Sequence, residues 1–151
     1  MESIRSSSEF PKLTSDISIK NADFLAELSN ESSLTITEHV RRAAALYQLS
    51  MGVYEDGGGV YAVSGQEREV IPLFDLEQQD EESPVAVSLS VNLNTETAKL
   101  FQDLGIGAIS GKTRVLDNII NHYLQAVQKS LSDHKIIVEY SNNTQHELFF
   151  L

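Results

Sequence analysis

Four histidines, His39, His122, His134 and His146, and no cysteine at all set the limits of the chemistry open to this chain. Without thiols there is no thiolate metal site, no sulfur nucleophile and no disulfide framework. The histidines do not fall at ligand spacing with carboxylates, so the pattern predicts no metal centre. His39 and His122 sit on long helical patterns, where a partly buried or surface position is expected. No Ser/His/Asp arrangement is visible, nor any close carboxylate pair with a reason to split its pKa values. Gly111-Lys112-Thr113 ends like a phosphate-binding loop. That loop, Gly-x-x-x-x-Gly-Lys-Thr, needs glycine at position 106, where this chain has isoleucine, and it follows a strand where a helix is expected here. The expectation is a protein with no catalytic function and no cofactor.

The charge is strongly acidic, 22 carboxylates against 11 lysines and arginines for a net −11. Phosphate binding draws its free energy from cationic side chains that displace counterions, so this balance argues against non-specific binding to nucleic acid or to an anionic membrane. The charge is uneven, −10 over residues 1–83 and −1 over 84–151, so a phosphate-facing surface is expected to draw on the second half. No apolar run approaches bilayer length, and the N-terminus lacks the basic-then-apolar order of a signal peptide. A soluble, cytoplasmic protein is expected.

The elements that must position any site are written twice at one fixed offset, the one that carries Leu13 to Leu89, Leu28 to Leu104, Thr37 to Thr113 and Tyr47 to Tyr123. Leu34 to Tyr47 opens with Thr35 and Glu38, a capping box that starts a helix. From there Ile36, Val40, Ala43, Ala44, Tyr47 and Met51 form one apolar stripe. Its echo carries Leu116, Ile119, Ile120, Tyr123 and Val127. Upstream, Phe10 to Ser18 alternates like a strand, and Ala86 to Asn94 does so more cleanly, with Leu89, Val91 and Leu93 against Ser88, Ser90 and Asn92. Ser18 and Asn94 are suited to cap short helices burying Ala22, Leu25 and Leu28 in one copy and Ala98, Phe101 and Leu104 in the other. After each long helix a hairpin is expected. One joins Val60–Val63 to Arg68–Leu73; the other joins Lys135–Ser141 to Thr144–Leu151 around Asn142-Asn143, whose side chains tolerate positive φ. The organisation is a tail over 1–9, one unit over 10–74, an acidic linker over 75–84 and a second unit over 85–151. A lone short strand cannot persist, so each must pair, within this chain or across two.

Strand, cap, short helix, turn, then Thr-x-Thr-Glu-x-Val-Arg-Arg-Ala resembles the ribbon-helix-helix fold of Arc- and MetJ-type repressors. The likeness spans about residues 11–50 and 87–127, roughly half the chain, and the trailing hairpins resemble a bacterial subgroup with short C-terminal extensions. It implies an α+β, mainly α fold in which two strands pair into a ribbon that enters the DNA major groove. Carried across by position, the base-facing residues are Lys12, Thr14 and Asp16 from the first copy and Ser88, Ser90 and Asn92 from the second. The phosphate anchors are the helix starts at Thr35 and Thr37 and at Gly111, Lys112, Thr113 and Arg114. Asp16, Glu31 and Glu38 depart from the cationic pattern of such surfaces, since each opposes an anion nearby.

Two functional expectations follow from different classes. One is a transcriptional regulator binding DNA through the ribbon. The other is an acidic module that keeps the fold but meets a basic protein partner or mimics nucleic acid. In either case the copies are expected to pair as a single-chain pseudo-dimer or as a homodimer. Arg41 and Arg42 are expected either to meet phosphates or to pair along the helix surface.

Overall fold

The computed structural model describes residues 12–71, 85–92, 95, 98–99 and 115–150. Strand β1 (Lys12–Ser18) leads into helix α1 (Ile19–Glu31) and helix α2 (Ile36–Glu55), then the hairpin β2 (Gly59–Ser64) and β3 (Glu67–Val70). Strand β4 (Val85–Asn92), helix α3 (Val115–Leu131) and the hairpin β5 (Lys135–Glu139) and β6 (Gln145–Leu148) complete the described elements. The result is a small α+β fold with three helices and two antiparallel sheets among the described residues. The tail over 1–9, the linker over 75–84 and most of the short helix expected around Ala98, Phe101 and Leu104 lie outside the described residues.

The local causes of the helices are those the sequence supplies. Ser18 is extended and its hydroxyl accepts from the Asn21 amide, which starts α1. Thr35 does the same for the Glu38 amide and starts α2. Helix α1 buries Leu25 and Leu28, each contributing about 1.5–3 kcal/mol of apolar transfer. Helices α2 and α3 bring Val40, Ala43, Ala44 and Tyr47 against Leu116, Ile119, Ile120 and Tyr123 in one continuous core, while Ile36 and Met51 lie half-buried at its margin.

Helix α2 stops in a Schellman motif. The Gly58 amide donates to the Val53 carbonyl and the Gly57 amide to that of Tyr54, while Gly57 takes the left-handed φ of 92° that the motif requires. Helix α3 stops the same way. Asp133, which the sequence repeat aligns with Gly57, has φ 63°, and the His134 amide donates to the Lys129 carbonyl.

Strands β1 and β4 pair antiparallel with each other, Lys12 opposite Asn92, Thr14 opposite Ser90 and Asp16 opposite Ser88. The two hairpins join edge to edge, which periodicity alone did not predict, into one sheet of order β3-β2-β5-β6. Tyr61 stands opposite Ile137 at its centre. Each central pair, Thr14 with Ser90 and Tyr61 with Ile137, is also a pair that the sequence repeat aligns.

One face of this sheet closes the core through Val60, Ala62, Ile136 and Val138. On its other side the Arg68 guanidinium lies 3.7 Å from the Tyr61 ring centre and pairs with Glu139. Strand β3 is an edge, and Glu67, Arg68 and Glu69 charge it against pairing with further strands.

Several strand boundaries differ from the sequence expectation. Strand β3 begins at Glu67, one residue early, and the Ile71 amide still bonds the Val60 carbonyl. Strand β6 ends at Leu148 because Phe150 turns inward, edge-on to Tyr123 at 6.0 Å, and its carbonyl accepts from Arg42.

Candidate nucleic-acid interface

The β1–β4 ribbon gathers all six expected base-facing residues into three cross-strand pairs. Period-2 alternation decides which face they share. Val87 and Leu89 pack against the core beneath, Ser88 and Ser90 are exposed, and Asp16 is partly exposed. The described side chains of that face are the Asp16 carboxylate and the Ser88 and Ser90 hydroxyls, while Lys12, Thr14 and Asn92 are placed by strand register alone. These groups can donate to and accept from base edges, with little cationic charge to add.

Of the expected phosphate anchors, Thr35 and Thr37 stand at the start of α2, and Gly111, Lys112, Thr113 and Arg114 lie outside the described residues. Thr35 commits its hydroxyl to the Glu38 amide, which leaves the amides of Ile36 and Thr37 as first-turn donors without an intrahelical acceptor. Glu38, expected to repel an anion here, is paired with Arg41 one turn on. Arg41 thus follows the helix-surface alternative. Among the described contacts Arg42 makes no such pair and instead donates to the Phe150 carbonyl, because the chain after β6 folds back over α2.

A junction that sequence reading missed holds the ribbon on the helices. Asp117, in the first turn of α3, is fully buried. Its Oδ1 accepts from the Ser18 amide at 2.8 Å and from Asn21 Nδ2 at 2.7 Å. Asn21 Nδ2 also reaches the Asp117 carbonyl at 3.3 Å and Asn121 Oδ1 at 3.0 Å. The carboxylate thus caps the start of α1 from far along the chain, where the helix dipole favours negative charge. The available signal was a carboxylate in a helix's first turn on the flank of an apolar stripe. The residue that the repeat aligns with it is Arg41, so the repeat itself pointed away from it.

The two helical histidines are fully buried, contrary to the partly buried or surface position expected of them. His39 is hydrogen bonded through Nε2 to Ser32 Oγ at 2.9 Å and through Nδ1 to Tyr123 OH at 2.9 Å. His122 Nε2 meets Ser50 Oγ at 2.7 Å, with the Tyr47 ring edge-on at 5.8 Å. Hydroxyl partners satisfy these imidazoles, and burial without them would be costly. Among the described residues no three His, Asp or Glu side chains stand together as a metal site.

Burial, and then the nearby Arg42 charge, hold the His39 pKa below its ordinary value of 6.5. Burial likewise pushes the Tyr123 phenol up, so the pair is neutral at pH 7. A histidine kept neutral in the folded state but free to charge when unfolded contributes stability that is complete above pH 6.5 and is lost as pH falls from there through the folded pKa. Stability measured by urea denaturation should fall below pH 6.5 with a slope of at most about 1.4 kcal/mol per pH unit from this group. His39→Val should flatten that slope. An unchanged slope in the variant would exclude His39 as its source.

No family model, no curated protein and no solved structure matches this chain.

Proposed function

We propose that the chain is a single-chain ribbon-helix-helix regulator of transcription, residues 10–74 and 85–151 being two units that pair with each other and present one ribbon to the DNA major groove. The observation that carries this reading is the ribbon register. A two-fold axis relating two copies must bring equivalent residues face to face, and Thr14 stands opposite Ser90, its equivalent in the repeat. The same equivalence recurs at Tyr61 and Ile137 and at the two helix C-caps. Ser88 and Ser90 supply exposed polar groups on the ribbon, Lys12, Thr14, Asp16 and Asn92 complete the base-facing set, and the amides of the Thr35–Thr37 turn supply an anion site.

The test is retardation of random-sequence duplex DNA at low salt, followed over increasing salt. With Lys12, Lys112 and Arg114 as the cationic contacts, the logarithm of affinity should fall with the logarithm of salt at a slope of about −3. Lys112→Ala should weaken binding to all sequences alike and reduce that slope by about one. A chain that retards no DNA at the lowest salt is not such a regulator.

A second reading is favoured by one observation, the net charge of −11 with an aspartate on the ribbon. In it the same fold serves as an acidic interaction module for a basic protein partner, and DNA is not bound. The low-salt experiment separates the two, because electrostatic association is the least a DNA regulator shows.

A further inference from the structure

Helix α2 keeps one face outside the core. Ala45, Gln48, Gly52 and Glu55 recur there at helical spacing and are exposed, with Arg41 and Leu49 partly so. Charge is divided along the length of this face. Toward its start Glu38, Arg41 and Arg42 leave one positive charge in excess, and at its end Glu55 and the C-cap Asp56 are both negative. The apolar relief is divided in the same way. Beside the first half stands Phe149, 79% exposed, on the rim of a groove with Arg42, Ala45 and Leu49. Beside the second half lies a hollow of about 400 Å³ between Leu49, Gly52, Val53 and Tyr140. An apolar cavity of about 150 Å³ holds a benzene ring, so the hollow has room for a phenyl group.

We infer that this face binds a second copy of the chain across a two-fold axis, the two α2 helices antiparallel with Gln48 at the axis and Phe149 of each copy seated in the hollow of the other. A contact of this kind is isologous, so every pairing across it occurs twice. Arg41 and Glu55 stand one heptad either side of Gln48, about 10 Å along the helix, so each Arg41 meets the other copy's Glu55. Gln48 meets itself, and its amide both donates and accepts. The same reversal brings the half with the protruding ring against the half with the hollow. A copy laid parallel would set Arg41 on Arg41, Glu55 on Glu55 and ring against ring. A net charge of −11 sets two copies against each other, but a face with a basic end and an acidic end attracts its own reversed copy. A uniformly basic partner would meet repulsion at Arg41 and Arg42. The inference does not depend on what the ribbon binds.

The experiment is sedimentation equilibrium of the full chain at concentrations from about 1 μM to about 1 mM. A reversible equilibrium between monomer and dimer is expected. Phe149→Ala should weaken it about 100-fold or more, since each dimer buries that ring twice. Arg41→Glu and Glu55→Arg should each weaken it about tenfold by setting like charges opposite one another. The two together should restore it, because the same pairs form again with their signs exchanged. Circular dichroism of each variant checks that its fold is intact. A dimer lost in Phe149→Ala and recovered by the charge exchange supports the inference. A chain that stays monomeric at about 1 mM overturns it and leaves the face to a different protein. A dimer indifferent to Phe149→Ala, or one that the double variant does not restore, overturns it as well, because the copies then meet through another surface.

Discussion

Asp117→Ala is expected to remove about 3 kcal/mol of stability, a drop in Tm of roughly 10 °C for a chain of this size. The carboxylate is fully buried and accepts from two donors, the Ser18 amide and Asn21 Nδ2. Truncation leaves the Ser18 amide without that acceptor in a place water does not reach, and such an orphan costs about 1–3 kcal/mol. The Asn21 amide loses its shortest contact, and helix α1 loses a negative charge at its positive end, about 0.3–1 kcal/mol more. Asp117→Asn keeps an acceptor while removing the charge, so it should lose markedly less. Urea denaturation of both variants checks the ordering. A change under about 0.5 kcal/mol in the alanine variant, the range of ordinary surface substitutions, would mean that the ribbon is not held to α3 by this residue.

Gly58→Ala is expected to lose a similar amount for a different reason. A Cβ built on Gly58 would stand 2.1 Å from the Glu139 carbonyl oxygen and 2.9 Å from Val53 Cγ1. The first obstacle is backbone and cannot rotate aside, so either the β2–β5 pairing or the end of α2 must move, at about 3 kcal/mol. Gly52→Ala is the control. Gly52 lies inside α2, is exposed and would have nothing within 4 Å of its new Cβ, so that substitution should stabilise by about 0.5–1 kcal/mol. Opposite signs at two neighbouring glycines would show that approach distance, not residue type, governs the effect. Equal destabilisation at both would contradict the described junction of α2 with β5.

Much of this architecture is legible in the sequence because apolar periodicity reports faces. The stripes from Val40 to Tyr47 and from Leu116 to Val127 identified the buried sides of α2 and α3, and alternation from Ser88 to Ser90 identified the solvent side of β4. Caps were legible too, Ser18 and Thr35 by residue type and position. Periodicity does not report partners, which is why the union of the two hairpins into one sheet was invisible: Tyr61 and Ile137 carry no mark of facing each other. Buried polar residues were missed for a related reason. His39 and His122 count as polar in any stripe, and only the hydroxyls of Ser32, Tyr123 and Ser50, brought in by folding, make their burial tolerable. Asn21 and Asp117 are polar residues whose reason to be inside is each other. On the candidate interface, alternation put Ser88 and Ser90 on the exposed side of the ribbon, but what a ribbon residue touches is a matter of ligand chemistry that spacing does not carry.

The absence of cysteine from the chain makes the ribbon directly testable. Thr14→Cys and Ser90→Cys together put two thiols at positions that face each other in the register, where opposite Cβ atoms lie about 4.5–5.5 Å apart, close to disulfide reach. Mass spectrometry after mild oxidation of dilute protein is then decisive. A monomer lighter by two hydrogens, unlinked to any second chain, is the expected result. Free thiols, or a disulfide joining two chains, would contradict a ribbon built from both halves of one chain.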